Sequence, residues 1–270
     1  MQQNRLAESA RQPAAILAGL DGCRAGWIAV HADISGSRDR DSAMTAAGVS
    51  LFATIGDAAA ALGPSAIIAV DMPIGLPEKI TGGGRGPEQA IRPFLGARQS
   101  SVFSIPSRSA VYADTYGKAC ELAQKTSNPP KKVSKQAFNL FPKIRELDQF
   151  LLQAKADPAL AGIAVYECHP EFAFTMLNNG KAMQLPKKIK SRVNPAGIAE
   201  RTTLLESLGF DPLFLKAGAA NFRSAEAAQD DFIDACACFS IAWRLQQGLA
   251  HPHPEQYKRD ANGLPIAIWA

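Results

Sequence analysis

The sequence predicts an α/β protein with a mixed sheet flanked by helices, and three observations carry that prediction. Two runs, Ser65–Asp71 and Gly162–Glu167, are strand-length, apolar almost throughout, and closed by an acid. Such runs suit parallel strands covered on both faces. A second pair, Ile16–Asp21 and Trp27–His31, flanks the turn signal Asp21-Gly22 and reads as a hairpin. A late segment, Ala225–Leu249, sets Phe232, Cys236, Phe239 and Trp243 at helical spacing, an apolar face suited to lie on a sheet.

Between these anchors the order is strand, strand, strand, helix, strand. Ala47–Ala53 supplies the third strand, Gly56–Leu62 an Ala-rich helix, and Ser65–Asp71 the fourth strand. From about residue 81 to 155 the pattern loosens into an inserted helical and loop segment. It holds a Gly-rich stretch (Gly82, Gly83, Gly84, Gly86) and the Pro- and Lys-rich stretch Lys125–Lys135, which suits an exposed loop. Gln136–Lys155 reads as a helix interrupted at Pro142. After Gly162–Glu167 come helices at Phe172–Leu177 and Ala196–Leu208, then the long helix, with Ser224 its expected N-cap. The expected division is a flexible N-terminus (1–13), one domain (14–250) and a C-terminal tail (251–270).

Bulk properties narrow the class. In 270 residues, 47% are hydrophobic and 20% charged, the balance of a chain that buries a core unaided. No apolar run approaches the ~20 residues a bilayer span requires. The N-terminus lacks the pattern of a signal peptide, and the five cysteines form no regular framework. A reducing, cytoplasmic setting is therefore expected. Net charge is only +4, but the cations gather in two clusters. One holds Lys131, Lys132, Lys135, Lys143 and Arg145; the other holds Lys181, Lys187, Lys188, Lys190, Arg192 and Arg201. Either could neutralise phosphates or simply be a solvated face.

The acids are the main chemical signal. Asp21, Asp71 and Glu167 each close a strand, and ligand sites form at the carboxyl ends of parallel strands. The late helix adds Asp230, Asp231 and Asp234, where Asp234 shares a face with either predecessor. Each acid also has a structural reading: Asp21 and Asp71 as turn residues, Asp230 and Asp231 as complements to the helix dipole. Grouped carboxylates repel unless a cation sits among them, and hard oxygen donors suit Mg²⁺ or Mn²⁺. His169, two residues past Glu167, suits either a proton shuttle or a hydrogen-bonded structural role.

Five segments together resemble one family. They are GLDGCRAGW (Gly19–Trp27), VDMPIGLP (Val70–Pro77), LGARQSSVFSIPSR (Leu95–Arg108), ECHPEFAF (Glu167–Phe174) and DDFIDA (Asp230–Ala235). In this order they are similar to a domain-of-unknown-function family, DUF429, described as predicted nucleases of ribonuclease H-like fold. The resemblance implies a ribonuclease H-like sheet whose first and fourth strands are neighbours carrying acids. It implies metal-binding, catalytic carboxylates at Asp21, Asp71 and Glu167, joined by Asp231 and Asp234 from the late helix. The expected substrate-binding set is Arg24, Arg98, Ser100, Ser101, Arg108, His169, Lys187, Lys188 and Arg201. The expected activity is hydrolysis of nucleic acid with two Mg²⁺ or Mn²⁺ ions ~4 Å apart. The alternatives are a nucleotide-dependent phosphotransferase or ATPase of related fold, and a non-catalytic nucleic-acid- or metabolite-binding protein.

Overall fold

Alternation along the first strand decides how the fold is layered. In β1 (Ile16–Cys23), Leu17 and Cys23 join one apolar cluster while Ala18 and Leu20 join another, so one strand feeds two cores on opposite faces. The computed structural model describes residues 16–36, 39–190 and 192–270; the expected flexible segment 1–13 lies outside them. The expected hairpin forms, but β1 continues through Asp21-Gly22, which pair with Ile28 and Trp27, and turns only at Arg24 and Ala25 into β2 (Gly26–Asp33). Then follow α1 (Arg40–Thr45), β3 (Gly48–Phe52), α2 (Ile55–Leu62) and β4 (Ile67–Asp71).

The inserted segment carries β5 (Ile80–Thr81), α3 (Gly86–Ile91), a 3-10 stretch (Arg92–Ser101), α4 (Arg108–Val111), α5 (Tyr116–Thr126), β6 (Ser127–Asn128) and α6 (Lys135–Ala156). The chain re-enters the core as β7 (Ala164–Glu167) and α7 (Pro170–Leu177). A small hairpin of β8 (Lys188–Ile189) and β9 (Arg192–Val193) leads to α8 (Pro195–Ser207) and α9 (Pro212–Gly218). Then come α10 (Gln229–Gln246), β10 (Pro252–Arg259) and β11 (Pro265–Trp269).

The central sheet runs β3-β2-β1-β4-β7. β2 is antiparallel to both of its neighbours, β1 and β3, whereas β1–β4 and β4–β7 are parallel. This is a mixed α/β sheet flanked by helices, consistent with the ribonuclease H-like arrangement. α7 and α10 cover one face; α2, α5 and α6 cover the other.

Four local expectations are corrected by packing. α6 runs unbroken through Pro142, because Phe141, Ile144, Leu147 and Phe150 bury one stripe. That burial outweighs a proline penalty of ~3 kcal/mol. α5 was not expected; its buried face is only Ala119, Cys120 and Ala123, too small to mark periodicity. α10 begins at Gln229 rather than Ala225, and Asp231 rather than Ser224 serves its start, accepting from the Ala228 amide at 2.9 Å. Residues 251–270 form the β10–β11 hairpin instead of a tail, anchored by buried Asp260, which accepts from the Leu76 and Leu264 amides.

α10 sits unusually close to β1. A Cβ on Gly19 would lie 1.9 Å from the Phe239 nitrogen and 2.3 Å from the Ala235 oxygen. Only glycine allows this approach, and the small residues Ala235, Cys236, Ala237 and Cys238 complete the contact on the helix side.

Candidate metal centre

The same alternation that puts Gly19 beneath α10 puts Asp21, two residues on, on the same face. Asp21 pairs directly with Asp71 in the parallel β1–β4 register, so both carboxylates leave that face side by side. Asp234 lies on α10 next to Ala235, the residue resting over Gly19. Each of the three aspartates offers an oxygen within 4.8 Å of the others, a group that could hold a metal ion. Asp21 and Asp234 are buried and Asp71 is partly buried.

The hydrogen bonding leaves this group electron-rich. Asp21 Oδ1 accepts from the Gly22 amide at 2.6 Å. Asp234 Oδ2 accepts from the Lys187 ammonium, whereas Asp234 Oδ1 is buried with no partner. Lys187 Nζ also lies 4.0 Å from Glu171 Oε1, but both Glu171 oxygens are engaged by Arg201 at 2.7 and 2.8 Å. One ammonium thus faces three aspartates.

The titration behaviour follows. Burial first, then repulsion from Asp71 and Asp234, holds the Asp21 carboxyl well above its usual range. Burial and the Asp234 charge push Asp71 to about 8. Burial raises Asp234 to about 6 against the opposing pull of Lys187. Burial disfavours the Lys187 charge, but Asp234 and Glu171 outweigh it and keep the ammonium above its ordinary value. A cation among the three oxygens would relieve both the repulsion and the orphaned Asp234 oxygen, so these residues fit a hard divalent ion.

Beside the group lies a cavity of about 610 Å³, a size typical of small-molecule sites. Asp21 and Asp71 line one wall; Arg24, Lys143, Ser101 and His169 line others. The family description matching residues 19–259 is "protein of unknown function (DUF429)". The chain belongs to this family. No curated protein and no solved structure matches it.

Within this DUF429 chain the expected site residues separate. Glu167 stays out of the aspartate group: it pairs with Val70 in the β4–β7 register and so leaves the opposite face from Asp71. Its carboxylate is held by Arg85 at 2.5 and 3.1 Å and by the Ile74 amide at 2.7 Å. Asp231 caps α10, and Asp230 pairs with Lys188 at 2.5 Å. Arg108 is a strut, donating to Asp148 at 2.7 and 2.8 Å and to Asp260 at 2.9 Å. Arg201 is wholly buried against Glu171 and the Leu185 and Gly197 carbonyls. Both guanidiniums are thus engaged by carboxylates of the fold.

His169 is part of the cavity wall. Its Nδ1 accepts from the Phe172 amide and its Nε2 faces the Ser101 carbonyl, both at 3.4 Å. Burial lowers it to about 4, so it stays neutral at physiological pH and positions Ser101. Ser101 Oγ donates to the Arg98 carbonyl at 2.8 Å. Arg24 is exposed at the cavity rim, and Ser100 faces a different cavity.

Several residues around the centre were missed by sequence reasoning. Arg85 and Glu88 form a fully buried pair at 2.6 Å that orders Glu167. Arg85 sits inside the Gly-rich stretch, whose glycines drew the reading toward a loop. Lys143, which the sequence placed only in a basic cluster, donates to the Gly26 carbonyl at 2.5 Å and lies 4.6 Å over the Trp27 ring at the cavity wall. Glu171 follows His169-Pro170 at the start of α7, a position that reads as dipole complement alone.

Proposed function

We propose that the protein is a metal-dependent phosphodiesterase that hydrolyses nucleic acid. The observation that carries the reading is the Asp21–Asp71–Asp234 convergence, with one buried oxygen left unpartnered, beside a cavity that Asp21 and Asp71 line. Asp21, Asp71 and Asp234 would hold Mg²⁺ or Mn²⁺, the ions suited to an all-carboxylate set. When bound, such an ion lowers the pKa of water and stabilises charge on phosphoryl oxygens.

The chain's own residues supply the rest. Lys187 fixes the Asp234 carboxylate and offsets part of the negative charge. Arg24 presents an exposed guanidinium at the cavity rim, placed to meet an incoming phosphate. Lys143 is held against Gly26 and Trp27, a fixed positive charge in the wall that attracts the same anion.

The test is cleavage of a labelled panel of single- and double-stranded DNA, RNA, hybrid and branched substrates with Mn²⁺. Wild type is expected to cleave at least one class, and Asp71→Asn and Asp234→Asn none. Silence from wild type across the panel refutes the reading.

A further inference from the structure

Two sequence features remain outside the metal centre: the Gly82–Gly84 stretch and the lysines of the Pro-rich loop. They meet at one place. A second cavity, of about 340 Å³, is lined by Gly82 and Gly84 on one side and by Lys131 and Lys132 on another. Ser100, Ser104, Ser127 and Ser134 add hydroxyls. No acid lines this cavity among the described residues. The first cavity, by contrast, is lined by five carboxylates: Asp21, Asp71, Glu88, Glu146 and Glu167.

The two cavities share a wall made of Val102, Phe103 and Ile105. That wall is built rigidly. Arg92 donates to the Gly83 carbonyl at 2.6 Å, to the Val102 carbonyl at 3.2 Å and to Ser104 Oγ at 2.8 Å. Ser104 Oγ donates in turn to the Gly83 carbonyl at 2.5 Å. Gly84, with φ of +130°, brings its backbone against Ser104, where a Cβ would come within 3.3 Å of the Ser104 Cα. The far side is tied by the Gly82 amide donating to the Asn128 carbonyl at 2.8 Å. The first turn of the 22-residue α6, capped by Ser134, opens at the same cavity and adds partial positive charge.

We propose that this second cavity binds a phosphate group, that of the nucleotide next to the one at the metal centre. The assignment of the phosphate to a strand rests on the phosphodiesterase reading; the anion site itself rests on the cavity alone. Lys131 and Lys132 neutralise the phosphate, the Ser100, Ser127 and Ser134 hydroxyls donate to its oxygens, and the Phe103 wall separates consecutive nucleotides.

The experiment uses the full chain in EDTA, so that binding is read without metal or cleavage. Inorganic phosphate, then a fluorescent single-stranded oligonucleotide, is titrated into wild type, Lys131→Ala/Lys132→Ala, and Lys190→Ala/Arg192→Ala. The last variant removes two exposed charges from the β8–β9 hairpin as a control for general electrostatics. The expected result is roughly tenfold weaker binding of both ligands by the Lys131/Lys132 variant. The hairpin variant should bind phosphate as wild type does.

Failure of wild type to bind phosphate, or equal weakening by both variants, overturns the site. Weakened phosphate binding with unchanged oligonucleotide binding overturns its assignment to a strand. Asp71→Asn should retain phosphate binding. Phosphate binding in a protein that cleaves nothing upholds the anion site while the phosphodiesterase reading fails.

Discussion

Asp21 and Asp71 are register partners across two parallel strands, so their carboxylates share one face of the sheet and meet Asp234 from the helix above. Sheet pairing fixes two members of the group and helix packing fixes the third.

Glu167 should therefore be separable from the aspartates. A divalent ion that binds only the folded chain stabilises it by ~2.7 kcal/mol at a hundredfold excess over its dissociation constant. Asp234→Asn should abolish that gain, read as a Mn²⁺-dependent rise in Tm. Glu167→Gln should cost about 3 kcal/mol, since Arg85 loses a buried charged partner, yet keep the gain. Loss of the gain in Glu167→Gln would return Glu167 to the metal set.

The raised aspartates give metal-free stability a definite pH slope. Folded Asp71 titrates near 8 and folded Asp234 near 6, against 3.8 for an ordinary aspartate. Between those values the folded chain holds more protons than the unfolded one, so stability falls as pH rises from about 4 to about 8. Asp71→Asn should flatten that decline and, at pH 8 in EDTA, exceed wild type by on the order of 2 kcal/mol. Stability that climbs across this window would contradict the arrangement.

Much of this was legible in the sequence, and the misses have physical causes. Strand-end acids gave Asp21 and Asp71 because apolar runs locate strands. Glu167 misled because the face it takes depends on β4–β7 register, which strand composition does not encode. Choosing Asp234 over Asp231 requires the rotation of α10 about its axis, set by the Gly19 contact. Arg108 and Arg201 looked like phosphate binders because their partners, Asp148, Asp260 and Glu171, are 40, 152 and 30 residues away.

Gly19 is the position on which that contact depends. Gly19→Ala should destabilise the chain by about 3 kcal/mol, because the methyl group meets α10 backbone rather than a movable side chain. Displacing α10 also withdraws Asp234, so whatever folds should show a weaker Mn²⁺ response. A variant with wild-type stability would show that α10 does not seat on β1 at this point. Chemical denaturation with and without Mn²⁺ reads both effects.

Arg108→Met tests the strut assignment. It leaves Asp148 and Asp260 without their shared cation and should cost about 3 kcal/mol in denaturant unfolding. Oligonucleotide affinity, measured by anisotropy below the melting range, should not change. A selective loss of affinity would place Arg108 at the substrate instead.

An anomalous diffraction map from crystals soaked in Mn²⁺ would locate the ion outright. A peak is expected among Asp21, Asp71 and Asp234, with carboxylate oxygens at roughly 2.0–2.2 Å, as for a small hard dication. A map with no peak there, or with Mn²⁺ bound only at other carboxylates, would contradict it.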